Sequence, residues 1–141
     1  MSDAPKAARG RVAVIDDDAD TLATASRLLE RSGFEVVTFV GCFNRLAFVA
    51  AKKPDLVLMD VNMPLVPGDD LCRLMKDQDD LRSIPVVYFS SNDERTLHAL
   101  ARATGAAGYI AKSDMAIDFG AKVARFLGTQ RRPSQERDRA L

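Results

Sequence analysis

The sequence is poor in cysteine, has no excess of charge of either sign and contains no long hydrophobic run. Its two cysteines, Cys42 and Cys72, form no CxxC pair, so we expect reduced, packed thiols in a reducing compartment rather than a disulfide. Twenty basic residues balance twenty acidic ones, whereas a dedicated nucleic-acid binder usually carries a basic excess. No run approaches the roughly 18 apolar residues of a membrane span, and we find no apolar signal segment. These absences favour a cytoplasmic protein with no nucleic-acid or membrane partner.

The 141 residues fit one domain of ordinary globular composition, 47% of it hydrophobic. The charge is distributed unevenly along the chain. Residues 1–11 and residues 129–141 each carry a net charge of +2, while the stretch between them carries −4. We predict a flexible N-terminal segment over residues 1–10, a folded domain over residues 11–128 and an arginine-rich tail over residues 129–141.

Short apolar segments alternate strictly with helical segments along the folded part of the chain. The apolar segments, which we expect to be strands, are residues 11–15, 34–40, 56–59, 85–89 and 107–111. The predicted helices are residues 19–32, 42–53, 69–77, 93–104 and 114–127. Leu74 and Ile117 are among the helical residues expected to pack inward. Five strand–helix units in this order predict an α/β fold, a doubly wound five-stranded parallel sheet with five helices.

Four of the five predicted strands end in residues with reactive side chains. The first strand ends in Asp16 and Asp17, the third in Asp60, the fourth in Ser90 and the fifth in Lys112. In doubly wound folds these carboxyl ends share one edge of the sheet. Three carboxylates at one edge repel each other unless a cation joins them, and oxygen ligands alone select a hard ion such as Mg²⁺. Helix capping by Asp17 or Asp18 is the alternative, but it explains one aspartate and leaves the others without an account.

A carboxylate nucleophile, a divalent cation, a lysine and a hydroxyl are together the groups that phosphoryl transfer requires. In that reaction the protein positions the transferred group and neutralises its equatorial oxygens. An aspartyl phosphate is an established covalent intermediate.

These motifs resemble the receiver domain of two-component response regulators, the CheY-like family with its (βα)5, flavodoxin-like fold. The resemblance extends from about residue 11 to residue 127 and rests on residues 14–18, 54–64, 84–91 and 105–112. It implies that Asp60 is the phosphoacceptor, which takes the phosphoryl group of a phosphohistidine in a histidine kinase or a histidine phosphotransfer protein. It also implies that the protein is no enzyme beyond catalysing its own phosphorylation and dephosphorylation.

The resemblance assigns a role to each residue around the phosphoacceptor. Mg²⁺ is held by Asp16, Asp17, Asp60 and the backbone carbonyl of Asn62, and Asn62 also helps to set the lifetime of the phosphoryl group.

The remaining roles concern the phosphoryl group and the switch. Ser90 corresponds to the switch hydroxyl and Lys112 to the lysine that pairs with the phosphoryl group. Tyr109 corresponds to the aromatic switch, with a plain edge-strand aromatic as the alternative. Asn92 is the second residue that tunes the lifetime. His98, the lone histidine, is expected to be a surface or packing residue.

In this family the phosphorylation state is signalled to partners through the surface of the fourth helix, fifth strand and fifth helix, here about residues 93–127. Phosphorylation shifts the population toward an active conformer, which binds a downstream protein. We therefore expect a stand-alone receiver that signals through protein–protein interaction. The same surface also permits a homodimer.

The sequence departs from the family pattern at two points. Ser113 replaces the proline that usually follows the lysine, and since a cis bond without proline costs roughly 2.5–4 kcal/mol, we predict a trans peptide there. Pro67, with Gly68, stands where Asp-Gly is common, which stiffens the loop beside Asp60.

Three other functions compete with the receiver. The first is a receiver-like interaction module that is never phosphorylated. The second is a phosphatase of the haloacid dehalogenase type, which lacks support because Asn62 replaces the second carboxylate of its Asp-x-Asp motif. The third, a flavin or dinucleotide binder, requires glycines where this chain has Asp16, Asp17 and Asp18.

Overall fold

The computed structural model describes residues 9–41, 44–61 and 69–127, and over these ranges strands and helices alternate. The strands are β1 (Arg11–Asp16), β2 (Glu35–Val40), β3 (Leu56–Met59), β4 (Val86–Ser90) and β5 (Gly108–Ala111). The helices are α1 (Ala19–Arg31), α2 (Arg45–Lys52), α3 (Asp69–Lys76), α4 (Glu94–Thr104) and, after a 3-10 helix (Lys112–Ala116), α5 (119–127). The predictions for Cys42, for residues 62–68 and for the tail 129–141 lie outside the described residues. None of the described helices has the length and apolar character that a membrane crossing demands.

The five strands form one parallel sheet in the order β2-β1-β3-β4-β5. The order reverses between β1 and β3, and in doubly wound folds the crevice at such a reversal is where ligands bind. The register pairs Ile15 with Met59, and the Asp60 amide donates to the Ile15 carbonyl at 3.0 Å. This pairing brings Asp16 and Asp60 to the same edge of the sheet, and the predicted fold class is confirmed.

Helices cover both faces of the sheet, so the central strands are apolar on both sides. Val12 and Val14 of β1 belong to the core beneath α1 and α5, whereas Ala13 and Ile15 belong to the core beneath α2, α3 and α4. Strands buried on both faces read as continuous apolar runs rather than as alternating ones. The sheet is therefore a rigid frame whose carboxyl edge carries the polar residues.

The glycine that follows α4 has the backbone conformation that this position needs. Gly105 ends α4 with φ +83°, and its amide donates to the Ala101 carbonyl at 3.0 Å. A Cβ at Gly105 would also meet the ammonium of Lys76. At the other end of α4, Asp93 accepts a hydrogen bond from the Thr96 amide at 2.8 Å, which lowers the pKa of its carboxyl group.

The predicted single helix over residues 114–127 is wrong at its start. A 3-10 helix over Lys112–Ala116 follows β5 directly, and α5 begins only at residue 119. Asp118 lies between them with φ +53°, a conformation that aspartate tolerates better than most residues. This break ends the helical period, and Ile117, which was predicted to pack inward, is instead 62% exposed.

Two further predictions, for the peptide bond before Ser113 and for Leu74, can be compared with the structure. No cis peptide occurs within them, so the bond before Ser113 is trans as predicted. Leu74 was predicted to pack inward but is 45% exposed, because α3 turns only the arc of Leu71, Cys72 and Met75 toward the core.

Candidate functional site

Three carboxylates meet at the carboxyl edge of β1 and β3. Asp16 ends β1 and is fully buried, Asp60 directly follows β3 and is nearly so, and Asp17 is exposed. One oxygen from each carboxylate lies within 4.8 Å of the other two. The cluster could therefore hold a metal ion between two buried ligands and one that faces solvent.

The capping alternative can be examined at Asp18, the residue before α1. Asp18 occupies the N-cap position of α1, and its carboxylate accepts a hydrogen bond from the Thr21 hydroxyl at 2.6 Å, which lowers its pKa. The Asp18 amide in turn donates to Asp16 Oδ1 at 3.0 Å. Asp18 thus lies at the cap position without a capping hydrogen bond from its side chain, and its amide helps to orient Asp16. Helix capping does not explain why Asp16, Asp17 and Asp60 lie together.

Lys112 reaches the carboxylates from the end of β5. Its Nζ lies 2.9 Å from Asp16 Oδ2 and 3.4 Å from Asp60 Oδ2, and 5.7 Å from the centre of the Phe89 ring. Burial by itself lowers the pKa of Lys112, but the contact with Asp16 and the charge of Asp60 outweigh it, so the pKa is raised above 10.5. The lysine is therefore charged at neutral pH and shared between two acids.

Asp16 Oδ2 has an unusual environment for a buried oxygen. It is ion-paired with Lys112 at 2.9 Å, yet it accepts no well-directed hydrogen bond from any described residue. A buried carboxylate oxygen normally has such a partner. An oxygen left in this way, with two more carboxylates beside it, fits the ligand set of a hard divalent cation.

Ser90 ends β4 at the same edge and is fully buried. Its Oγ accepts a hydrogen bond from the Asn92 amide at 3.2 Å. This bond links the turn between β4 and α4 to the last residue of the strand.

The comparisons with known proteins agree on one family. Residues 12–121 match the model of the response regulator receiver domain. The chain belongs to this family. It is 34% identical over 102 residues to PilG of Pseudomonas aeruginosa, covering 72% of this chain and 76% of PilG. It is 31% identical over 117 residues to RcaC of Microchaete diplosiphon, covering 83% of this chain but only 18% of RcaC.

A solved structure has the same fold. The response regulator from Desulfuromonas acetoxidans superposes with a TM-score of 0.74 at 26% identity, covering 84% of this chain and 97% of the other. The predicted recognition and function are thereby confirmed at the level of the family, and nothing in these matches favours the alternatives. Receiver domains are regulatory phosphoacceptors that bind Mg²⁺ in an acidic pocket and interact with histidine kinases and downstream targets.

Of the remaining predicted site residues, one is not among the described residues and one lies on the edge strand. Asn62 falls among residues 62–68 and is not described. Tyr109, on the edge strand β5, is half-buried and packs edge-on against His98, with 6.3 Å between ring centres. His98 itself is exposed on α4, so the lone histidine is a surface residue, as predicted.

The sequence reasoning missed one buried cation near the site. Arg45, the first residue of α2, is only 4% exposed and donates to the Met59 sulfur at 3.1 Å. Met59 immediately precedes Asp60, so the guanidinium supports the strand end that carries the acid. No motif in the sequence distinguishes Arg45 from a surface arginine, because its burial follows from the tertiary packing of α2, which contacts α3, β1 and β2.

Proposed function

We propose that Asp60 of this receiver domain accepts the phosphoryl group from a phosphohistidine of a histidine kinase or a histidine phosphotransfer protein. The observation that carries the proposal is the position of Lys112 Nζ, 3.4 Å from Asp60 Oδ2 and 2.9 Å from Asp16 Oδ2. A lysine at this distance can pair with the Asp60 carboxylate before the transfer and with the phosphoryl group on Asp60 after it.

In the proposed reaction a carboxylate oxygen of Asp60 attacks phosphorus and the P–N bond to histidine breaks. The histidine nitrogen leaves with the electron pair and takes a proton from water. Asp16, Asp17 and Asp60, with the carbonyl of Asn62, would hold the Mg²⁺, which supplies positive charge for the equatorial oxygens when it is bound. The fit rests on the three carboxylate oxygens that lie within 4.8 Å of one another and on the buried Asp16 oxygen, which is ion-paired with Lys112 but accepts no well-directed hydrogen bond from a described residue.

After transfer, the residues around Asp60 take up the new charge. Lys112 pairs with a phosphoryl oxygen. The Ser90 hydroxyl, which now accepts a hydrogen bond from the Asn92 amide, moves toward the phosphoryl group and donates to another of its oxygens. Tyr109 then changes its packing against α4. In this proposal Asn92, a neutral amide, orients water for slow hydrolysis without acting as a base.

The proposed output is a protein–protein contact on the face of α4, β5 and α5, within a receiver unit spanning residues 11–128. The first element of this face, α4, follows Ser90 in the chain, and its strand β5 carries the half-buried Tyr109. A second copy of the chain or a downstream protein would bind there.

The proposal is tested by incubating the protein with acetyl phosphate and Mg²⁺ and measuring the covalent phosphoryl group by intact mass. Wild type should gain one phosphoryl group and Asp60→Asn none. Asp55→Asn is a matched control, because Asp55 accepts a hydrogen bond from the Arg11 amide at the opposite edge of the sheet and should not affect labelling. Equal labelling of wild type and Asp60→Asn would overturn the assignment.

The same assay separates the receiver from the interaction module that is never phosphorylated. Such a module would remain unlabelled with acetyl phosphate and with a phosphorylated kinase alike.

A further inference from the structure

Tyr88 is a buried polar residue that the phosphoryl site does not use. It lies in the middle of β4, is fully buried and has Met59 and Tyr109 as its neighbours on the adjoining strands. Its hydroxyl lies 2.7 Å from the Thr104 hydroxyl of α4 and 3.5 Å from the Cys72 sulfur of α3. One hydroxyl of the central sheet therefore contacts two helices.

The direction of the hydrogen bond between Tyr88 and Thr104 follows from the next partner. The Thr104 hydroxyl donates to the Leu100 carbonyl at 3.0 Å, and a carbonyl can only accept. Since Thr104 has one proton, it must accept from Tyr88, and the Tyr88 oxygen is left as an acceptor toward Cys72. A phenylalanine in this position would keep the ring and remove the only donor to Thr104 in this chain of bonds.

A second contact holds the same end of α4. The Lys76 ammonium, in the last turn of α3, donates to the Gly105 carbonyl at 3.1 Å. Thr104 is the last residue of α4 and Gly105 is its cap. Both contacts therefore tie the C-terminal end of α4 to α3 or β4.

The N-terminal end of α4 lies beside the site instead. Its cap, Asp93, bonds within its own helix to the Thr96 amide, and the preceding turn bonds to Ser90 through Asn92. Alternate residues of a strand share a face, so Tyr88 and Ser90 project toward the face that carries α3 and α4. The Tyr88 hydroxyl thus contacts the C-terminal end of α4, and the Ser90 hydroxyl contacts the turn before its N-terminal end.

We infer that Tyr88 is a positioning residue that fixes the C-terminal turn of α4 to β4 and α3. A displacement of Ser90 on phosphorylation then moves the N-terminal half of α4 about a fixed end. The fixed end is a property of the folded chain, whereas its use in switching rests on the proposed function.

The fixed end is tested first in the unphosphorylated protein, by hydrogen exchange of the α4 amides. Tyr88→Phe and Thr104→Val each remove one partner without a large change in volume, and both should speed exchange at residues 101–107 by about fivefold, the factor for one ordinary hydrogen bond. Thr104→Ser keeps the hydroxyl and should exchange like wild type. If Tyr88→Phe and Thr104→Val also exchange like wild type at residues 101–107, the fixed end does not exist.

The proposed movement of α4 about its fixed C-terminal end is tested by repeating the hydrogen-exchange measurement after phosphorylation with acetyl phosphate. In wild type and Thr104→Ser the change in exchange should be confined to residues 94–98, and in Tyr88→Phe and Thr104→Val it should spread to residues 101–107. If the change in exchange spreads to residues 101–107 in all four proteins, or stays within residues 94–98 in all four, α4 does not move about a fixed end. Failure of wild type to accept a phosphoryl group would overturn the proposed function instead, and the unphosphorylated comparison would still decide the role of Tyr88.

Discussion

Replacing Lys112 with methionine should strengthen Mg²⁺ binding while it weakens the metal-free fold. The ammonium lies 2.9 Å from Asp16 Oδ2 and 3.4 Å from Asp60 Oδ2, so it competes for the oxygens that would ligate the ion. Methionine has a similar length and no charge, and the neighbouring Phe89 ring can pack against it as it now packs near the ammonium.

The magnitude follows from the distances and the burial. Two unit charges about 4 Å apart interact by about 1 kcal/mol in water and about 4 kcal/mol at the effective dielectric of a protein surface. Asp16 is fully buried and the Lys112 side chain is 22% exposed, so the interaction lies between these limits. Removing it should raise Mg²⁺ affinity at least about tenfold, which corresponds to 1.4 kcal/mol.

The cost in the absence of metal has the same origin. Without the ammonium, two buried carboxylates face each other with less compensation. Breaking a buried ion pair costs roughly 3–5 kcal/mol, and the partial exposure of Lys112 reduces this to about 2 kcal/mol for the variant. Saturating Mg²⁺ should restore the lost stability, because a ligand that binds the native state alone stabilises it.

The measurements are titration calorimetry with Mg²⁺ and urea unfolding with and without the ion, followed by circular dichroism because the chain has no tryptophan. Lys53→Met is the matched control. Lys53 is 61% exposed and pairs with the exposed Asp80, so its loss should change Mg²⁺ affinity less than about twofold. If Lys112→Met binds Mg²⁺ no more tightly than Lys53→Met, the lysine and the metal do not share ligands.

Three further predictions concern stability, each measured by urea unfolding. Because the pKa of Lys112 is raised in the folded protein, its ion pairs stabilise the fold in full below the ordinary pKa of 10.5. This stabilisation is lost as the pH rises through the raised pKa. The deficit of Lys112→Met should therefore shrink above about pH 10.5, and a constant deficit would contradict this. Gly105→Ala should destabilise by about 1 kcal/mol or more because φ is +83°, and neutrality would refute the left-handed cap. Leu97→Ala should cost about 2–5 kcal/mol and Ile117→Ser less than about 0.5 kcal/mol, since the first is fully buried and the second 62% exposed; similar costs would reject the break before α5.

The placement of the acids and the lysine could be predicted because it depends on topology alone. Apolar runs ending in Asp16, Asp60 and Lys112 had to share one edge once the strands were parallel and in one sheet. The order β2-β1-β3-β4-β5 then brought these ends together without any knowledge of side-chain packing.

Other features depend on single dihedral angles or on tertiary neighbours, and the sequence did not reveal them. The start of α5 was misplaced because the apolar period continues through Ile117, while the positive φ of Asp118 interrupts the helix. The burial of Arg45 and the hydroxyl pair of Tyr88 and Thr104 arise from tertiary contacts between separate elements. Patterns of hydrophobicity contain no information on such pairs.

Strand β4 connects the chemistry to the helices because its consecutive side chains face different cores. Phe89 packs with Phe119 beneath α5 and lies near the Lys112 ammonium, whereas Tyr88 packs beneath α3 and α4. Ser90 follows at the edge where Lys112 and Asp60 meet. If Asp60 is phosphorylated as proposed, we expect the change of charge to act on both sides of the sheet, on the α5 side through Lys112 and Phe89 and on the α4 side through Ser90. Because interiors are close-packed, we expect such a shift to reach the helices.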